Sequence, residues 1–201
     1  MVMLNRISND LFFLDVHLSC DVDFSVNHVL SIFWAKLHRK ICDFGMGKVA
    51  LAFPEYSSIG LGKIIRLFSS AQVLNSIQES EWKGIRDFLE FKEVLPIPEN
   101  VNGYATFARK QLKSSNNKRK RLINHFHFTE DEALEKFPFN ENERKLSLPF
   151  AKVKSLSTDC MVPIFVEMSC VFESENTSVV DFQKLSFTTY GLSREIAVPI
   201  F

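Results

Sequence analysis

Arg109, Lys110, Lys113, Lys118, Arg119, Lys120 and Arg121 are seven of the chain's 24 Lys and Arg, and all fall in the stretch Arg109–His127 (RKQLKSSNNKRKRLINHFH), which no acid interrupts. On a chain of net charge +0, such a run is a concentrated local field suited to polyanions. With Asn116 or Asn117 as a helix cap, a turn of ~100° per residue places Lys118, Arg121, Asn124 and His125 along one stripe, with Leu122, Ile123 and Phe126 opposite. The helix then docks by its apolar side and holds cations and hydrogen-bond donors outward, toward phosphates and base edges. Just upstream, Arg109, Gln111 and Lys113 alternate as they would on an extended segment. Arg and Gln are the types that make bidentate contacts to guanine and adenine, and RNA is the expected partner. The same run also reads as a solvated helix face, or, in its KRKR tetrapeptide, as a nuclear localisation signal.

The elements that must position these residues belong to a chain of 201 residues and 23.1 kDa, with 46% hydrophobic residues and 20 Phe. That is enough for one large or two small cores without covalent staples. Cys20, Cys42, Cys160 and Cys170 form no CxxC and have no His at zinc-finger spacing, so they read as reduced core thiols, with no metal and no cofactor expected. The start, MVMLNRISND, lacks a continuous apolar run, and no window approaches ~18 apolar residues. No membrane segment and a cytoplasmic location are expected.

Leu11–Leu18 reads as a first strand, and Ser25 caps a helix with Val26, Val29, Leu30, Phe33, Leu37 and Ile41 at helical spacing, ending at Gly45. The runs 48–53 and 63–68 form a hairpin around Pro54, Gly60 and Gly62. A helix from Ser70, a second containing Trp82, Ile85 and Leu89, and an extended segment 91–98 complete the order βαββαβ. The fold class is α+β: a ferredoxin-like domain over residues 1–98, then a C-terminal RNA-binding domain over 99–201 with the basic helix at 116–127 and a small antiparallel sheet. Thr129 with Glu132 makes a capping box for a further short helix. PFAKVKS, MVPIFVEMSCVF and LSFTTYGLS are strand-like.

Four segments, in this order, resemble one family, the CRISPR-associated endoribonucleases that cut the repeat hairpin of precursor CRISPR RNA in type I-F systems. They are FWAKLHRK around His38, KVALAFPEY at 48–56, ARKQLKSSNNKRKRL at 108–122, and KSLSTD followed by FTTYGLS, with VPIF near the end. The resemblance implies a metal-independent cut at the base of an RNA hairpin by the 2'-hydroxyl of the upstream nucleotide. It implies His38 as general base, Ser155 as the group that holds the hydroxyl, and Tyr190 as a positioner. It also implies Arg109 and Gln111 as base readers, and Lys118, Arg119, Lys120 and Arg121 on a helix along the RNA major groove. The partners it implies are the CRISPR repeat hairpin, retained after cleavage, and the other subunits of a type I-F surveillance complex.

Without the family, His38 beside Lys36, Arg39 and Lys40 reads as a solvated helix histidine, Ser155 as a turn or strand serine, and Tyr190 as a core aromatic. The chain departs from the family pattern at Asn124 and His125, where the family has further arginines, and at Val162, where it has a phenylalanine that stacks on a base. A catalytically silent hairpin-holding subunit of a variant or transposon-linked complex is the alternative reading.

Overall fold

The computed structural model describes residues 5–7, 11–44, 47–111, 115–138, 147–154, 160–171, 178–180 and 187–201. Strand β1 (Asn5–Ile7) is followed by β2 (Phe12–Leu18), on which Leu14, Val16 and Leu18 are buried in strict alternation. Helix α1 (Val26–Phe44) opens where the Ser25 hydroxyl accepts from the His28 amide, and it buries the expected stripe Val29, Leu30, Phe33, Leu37 and Ile41, together with Trp34. Strands β3 (Ala50–Ala52) and β4 (Ile64–Ser69) form the expected antiparallel pair, and α2 (Ala71–Glu79) starts at Ser70, whose hydroxyl accepts from the Val73 amide.

The helix expected around Trp82, Ile85 and Leu89 is absent. The Ile77 carbonyl accepts from both the Ser80 hydroxyl (2.6 Å) and the Trp82 indole N–H (3.1 Å), and Gly84 takes a left-handed φ of 74°, so the chain turns instead of continuing. A single 3-10 turn at Arg86–Phe88 leads into β5 (Leu89–Phe91) and β6 (Leu95–Pro96).

These strands make a sheet of order β3-β4-β2-β5, with β6 also against β2, every pair antiparallel. After β7 (Gly103–Lys110) come α3 (Ser115–Phe126) and α4 (Glu130–Lys136), and then β8 (Phe150–Lys154), β9 (Met161–Val171), β10 (Ser178–Val180) and β11 (Val198–Ile200). The second sheet has the order β11-β7-β9-β8, and β1 pairs with β10 in a short parallel ribbon. The fold is therefore a mixed α+β one. No strand forms among the described residues of LSFTTYGLS, and β11 was not foreseen.

Two compact units result, Met1–Arg109 with Leu148–Phe201, and Lys110–Ser147. The expected division at residue 98 falls inside the first of them. One core there joins Leu14, Phe33, Leu37 and Leu67 to Ala105, Phe107, Val153 and Ile164. The cysteines are not core thiols: Cys20, Cys160 and Cys170 are exposed and Cys42 is partly so. No described helix is long and apolar enough to cross a membrane.

A polar cluster at the edge of this core is built on Arg66, cross-strand partner of Asp15. Its Nε and Nη2 donate to the two Asp15 carboxylate oxygens (2.7 and 2.8 Å), its Nη1 donates to the Phe201 carbonyl (2.7 Å), and the Phe13 and Phe201 rings flank it. Removing one partner strands the other charge out of water. Arg66→Ala should cost ~3 kcal/mol in urea unfolding, and pairing Arg66→Met with Asp15→Leu should recover most of that loss.

Candidate active site and nucleic-acid interface

Trp34 and His38 stand one turn apart on α1, so their side chains leave the same face of the helix. They meet two successive carbonyls. The Trp34 indole N–H donates to the Tyr190 carbonyl (3.2 Å), and the His38 Nδ1 lies 2.9 Å from the Thr189 carbonyl oxygen. A carbonyl can only accept, so Nδ1 carries the hydrogen, and the neutral imidazole keeps its lone pair on Nε2. The half-buried ring is stacked on Tyr190, centroids 4.2 Å apart and planes 7° apart, and the Arg109 guanidinium lies 5.4 Å from the centroid of the same phenol ring. His38, Tyr190 and Arg109 thus form one contiguous row.

The carbonyls are presented by a turn that the strand expectation missed. The Gly191 amide donates to the Thr188 carbonyl (2.8 Å), and the Thr188 hydroxyl donates to the Leu192 carbonyl (3.0 Å) and accepts from the Leu192 amide (3.2 Å). Gly191 has φ 73°, and a Cβ there would lie 2.1 Å from Leu51 Cδ1. The turn is bound to the two sheets by Leu51 N–H to the Gly191 carbonyl (2.8 Å) and by Ser193 N–H to the Phe107 carbonyl (2.9 Å). Only glycine combines that dihedral with that approach. The residues of the candidate site not foreseen are therefore Thr189 and Trp34. The i, i+4 spacing of Trp34 and His38 was a signal for Trp34 alone.

Ser155 and Lys113 lie outside the described residues. Arg109, at the end of β7, has its Nε buried with no acceptor among the described residues, and Gln111 is exposed one residue beyond the strand. Val162 faces Val153 across the β8–β9 pair, and its neighbour Met161 is 56% exposed.

In the second unit, α3 begins at Ser115, one residue before the expected caps. Lys118, Lys120, Arg121, Asn124 and His125 are exposed, as a binding face requires. Lys118 holds its ammonium 4.9 Å from the Phe137 ring centroid, and Arg121 its guanidinium 5.9 Å from that of Phe126. Arg119 departs from the outward set, being buried with its Nη1 donating to the Phe137 carbonyl beyond α4 (2.6 Å). Phe126, expected inward, is 56% exposed. The capping box of α4 forms as expected, and the Thr129 amide and hydroxyl bonding the Glu132 carboxylate hold its pKa below the ordinary range.

Near His38 on the surface of α1, Lys40 sits with its ammonium 4.7 Å from the Trp82 ring centroid. Burial first, and Lys36 second, hold the Lys40 pKa below the usual lysine value.

A nitrogen-resolved NMR spectrum should show the neutral His38 ring as the Nδ1–H tautomer; an Nε2–H tautomer would contradict the bond to Thr189. Gly191→Ala should lower stability by ~2 kcal/mol or more, through the positive φ and the clash with Leu51, and should perturb the same imidazole signals. On α3, Arg119→Ala should cost ~1 to 2 kcal/mol of stability, whereas Lys120→Ala should be close to neutral in the same unfolding assay.

A family model described as CRISPR-associated protein (Cas_Csy4) matches residues 13–201. A protein of Escherichia coli (strain UTI89 / UPEC) named CRISPR-associated endonuclease Cas6/Csy4 is 29% identical over 191 residues, covering 94% of this chain and 98% of the relative. A protein of the same name from Pseudomonas aeruginosa (strain UCBPP-PA14) is 30% identical over 193 residues, with the same two coverages.

Proposed function

This chain belongs to the Csy4 family of CRISPR-associated proteins, and from that premise we propose that it is an endoribonuclease of a type I-F system. It cuts precursor CRISPR RNA at the base of the repeat hairpin, without a metal, and stays on its product within a surveillance complex. The observation that carries the reading is the 2.9 Å approach of His38 Nδ1 to the Thr189 carbonyl, which leaves the Nε2 lone pair to take a proton while Tyr190 stacks on the ring.

The base at Nε2 removes the proton of the 2'-hydroxyl upstream of the cut. The 2'-oxygen attacks the adjacent phosphorus as the bond to the 5'-oxygen breaks and that oxygen takes a proton from water, giving a 2',3'-cyclic phosphate on the hairpin and a 5'-hydroxyl on the released strand. Ser155, next in the chain after the last residue of β8, is assigned to hold the 2'-hydroxyl, and Tyr190 to keep the imidazole in place. In-line positioning is worth up to ~7 to 11 kcal/mol in favourable cases, and a placed base ~10²- to 10⁴-fold.

Arg109 and Gln111 read bases low in the stem. Lys118, Lys120 and Arg121 contact its phosphates, with Asn124 and His125 on the same exposed face. A deep A-form groove excludes most side chains, so α3 enters where the short stem opens at its loop. Arg119 serves instead by fixing α3 to α4, and Lys113 is assigned to the phosphates with the helix cations. The antiparallel order β3-β4-β2-β5, with α1 after the first of its strands in the chain and α2 after the third, supports a ferredoxin-like reading of the N-terminal part, with RNA binding carried by residues 99–201.

His38→Ala should leave hairpin affinity near that of the wild type and lower single-turnover cleavage by at least ~10²-fold, because the base acts in the transition state. A single deoxyribose upstream of the cut should abolish cleavage but not binding, and EDTA should leave cleavage of the all-ribose RNA unchanged. Dependence on added Mg²⁺, or cutting of the deoxy substrate, would indicate a water nucleophile. A wild-type protein that binds the hairpin and leaves it whole would be the silent holder.

A further inference from the structure

Beside the His38 row, α1 and the β8–β9 pair enclose a groove of about 600 Å³ that the hairpin grip does not use. The Lys152 amide donates to the Ser31 hydroxyl across its base (3.2 Å), which ties β8 to α1. Its floor is apolar: Ile32, Ala35, Phe150 and Met161, the last two 37% and 56% exposed. Its walls carry Lys36, Arg39, Lys152 and Lys154, and no acidic side chain lines it among the described residues. Phe150 is held in place by its ring contact with Phe165, centroids 5.1 Å apart.

That combination selects its occupant. An apolar floor with an exposed aromatic ring suits unpaired bases, and a rim of cations alone suits the phosphates that join them. A duplex would keep its bases away from the floor. A protein partner is disfavoured because lysine is depleted at protein interfaces. A smaller adjoining cavity shares Lys36 and Arg39 but adds Asp43 and Glu81 to Lys40 and Lys83, so a polyanion is held best on the β8 side.

Position then says which strand. Arg109 and Tyr190 extend the site from His38 on one side. The groove opens on another, since Ala35 and Arg39 lie roughly 60° and 100° round α1 from His38. Lys154 directly precedes Ser155. We propose that this groove binds the single-stranded RNA immediately downstream of the scissile phosphate, with Phe150 and Met161 under its first bases and Arg39, Lys152 and Lys154 on its phosphates. The proposal rests on the reading that a hairpin is cut at His38. Its consequence is that flanking RNA contributes to substrate binding and is lost from the product.

The test uses a hairpin made uncleavable by one deoxyribose upstream of the cut, with and without a ~6-nucleotide uridine extension downstream. For the wild type, the extension should tighten binding ~5- to 10-fold and steepen the salt dependence by about two phosphate contacts. In the double variant Arg39→Ala, Lys152→Ala that gain should fall below ~2-fold, with affinity for the unextended hairpin unchanged as proof of folding. A 4-thiouridine placed just past the cut should cross-link to the peptides bearing Phe150 or Met161. Three results would overturn the proposal: no gain for a wild type that binds the hairpin, a gain that survives the double variant, or an equal gain from an upstream extension. A wild type that does not bind the hairpin at all would overturn the proposed function first, and the assignment of the downstream strand with it.

Discussion

The Gly191 backbone is folded to φ 73° against Leu51 with no room for a Cβ, and the seating of the His38 ring depends on that contact. The turn places the carbonyls of Thr189 and Tyr190 side by side, and two residues one helical turn apart on α1 receive them. Each such hydrogen bond adds only ~1 kcal/mol to stability, yet the one at His38 Nδ1 sets the tautomer of the neutral ring and the one from Trp34 holds the next carbonyl of the turn beside it. Because Leu51 lies on β3 and Phe107 on β7, the turn is tied to both sheets at once. A shift of either sheet would therefore reach the imidazole through backbone bonds and not through flexible side chains.

The parts of the fold legible in the sequence are those where one face is buried. The α1 stripe and the alternation on β2 follow directly from periods of 3.6 and 2, and the caps at Ser25, Ser70 and Thr129 from side-chain chemistry at helix starts. The misreadings fall where backbone interactions between distant residues decide. FTTYGLS is rich in strand formers, but the Thr188 hydroxyl and Gly191 close it into a turn whose partners are Leu51 and Phe107, far away in sequence. The stretch around Trp82 has apolar residues at plausible helical spacing, but the indole N–H takes the Ile77 carbonyl and ends the helix. Cys20, Cys160 and Cys170 were read by the statistical preference of cysteine for interiors, which says nothing about a residue beside a loop or near a strand end.

The helical wheel of the basic stretch gave an outward stripe of Lys118, Arg121, Asn124 and His125, and Arg119 joined the RNA-facing cations through the family resemblance. Leu122 and Ile123 face inward, and Arg119 lies three and four residues before them, so it shares their stripe and not that of Lys118 and Arg121. Its aliphatic stem can be buried while the guanidinium finds the Phe137 carbonyl. The opposite error at Phe126 has an end effect as its cause. It is the last residue of α3, followed by His127 in the left-handed region at φ 55°, so the helix stops before α4 can cover it. Of the candidate site, Arg109 was marked by its place in the basic stretch, but His38 and Tyr190 were reached only through family resemblance, since nothing local marks a histidine among lysines as held by a carbonyl 151 residues away.

A net charge of +0 places a further demand on this arrangement. Beyond a Debye length of ~8 Å in physiological salt, such a chain offers a polyanion little attraction, and acids such as Glu130, Asp131 and Glu132 at the start of α4 weaken the field of its own basic unit. On the proposed function, affinity then comes from short-range fit, where cations held at fixed spacing meet phosphates at fixed spacing and release their counterions. Fit of that kind discriminates folded RNA from nucleic acid in general, because a misregistered strand keeps the charge and loses the contacts. The cation–π contacts of Lys118 and Arg121 serve the same end. By restraining long side chains in advance they reduce the rotamer entropy lost on binding, which on the proposed function lets a neutral protein hold a hairpin without attracting every other RNA.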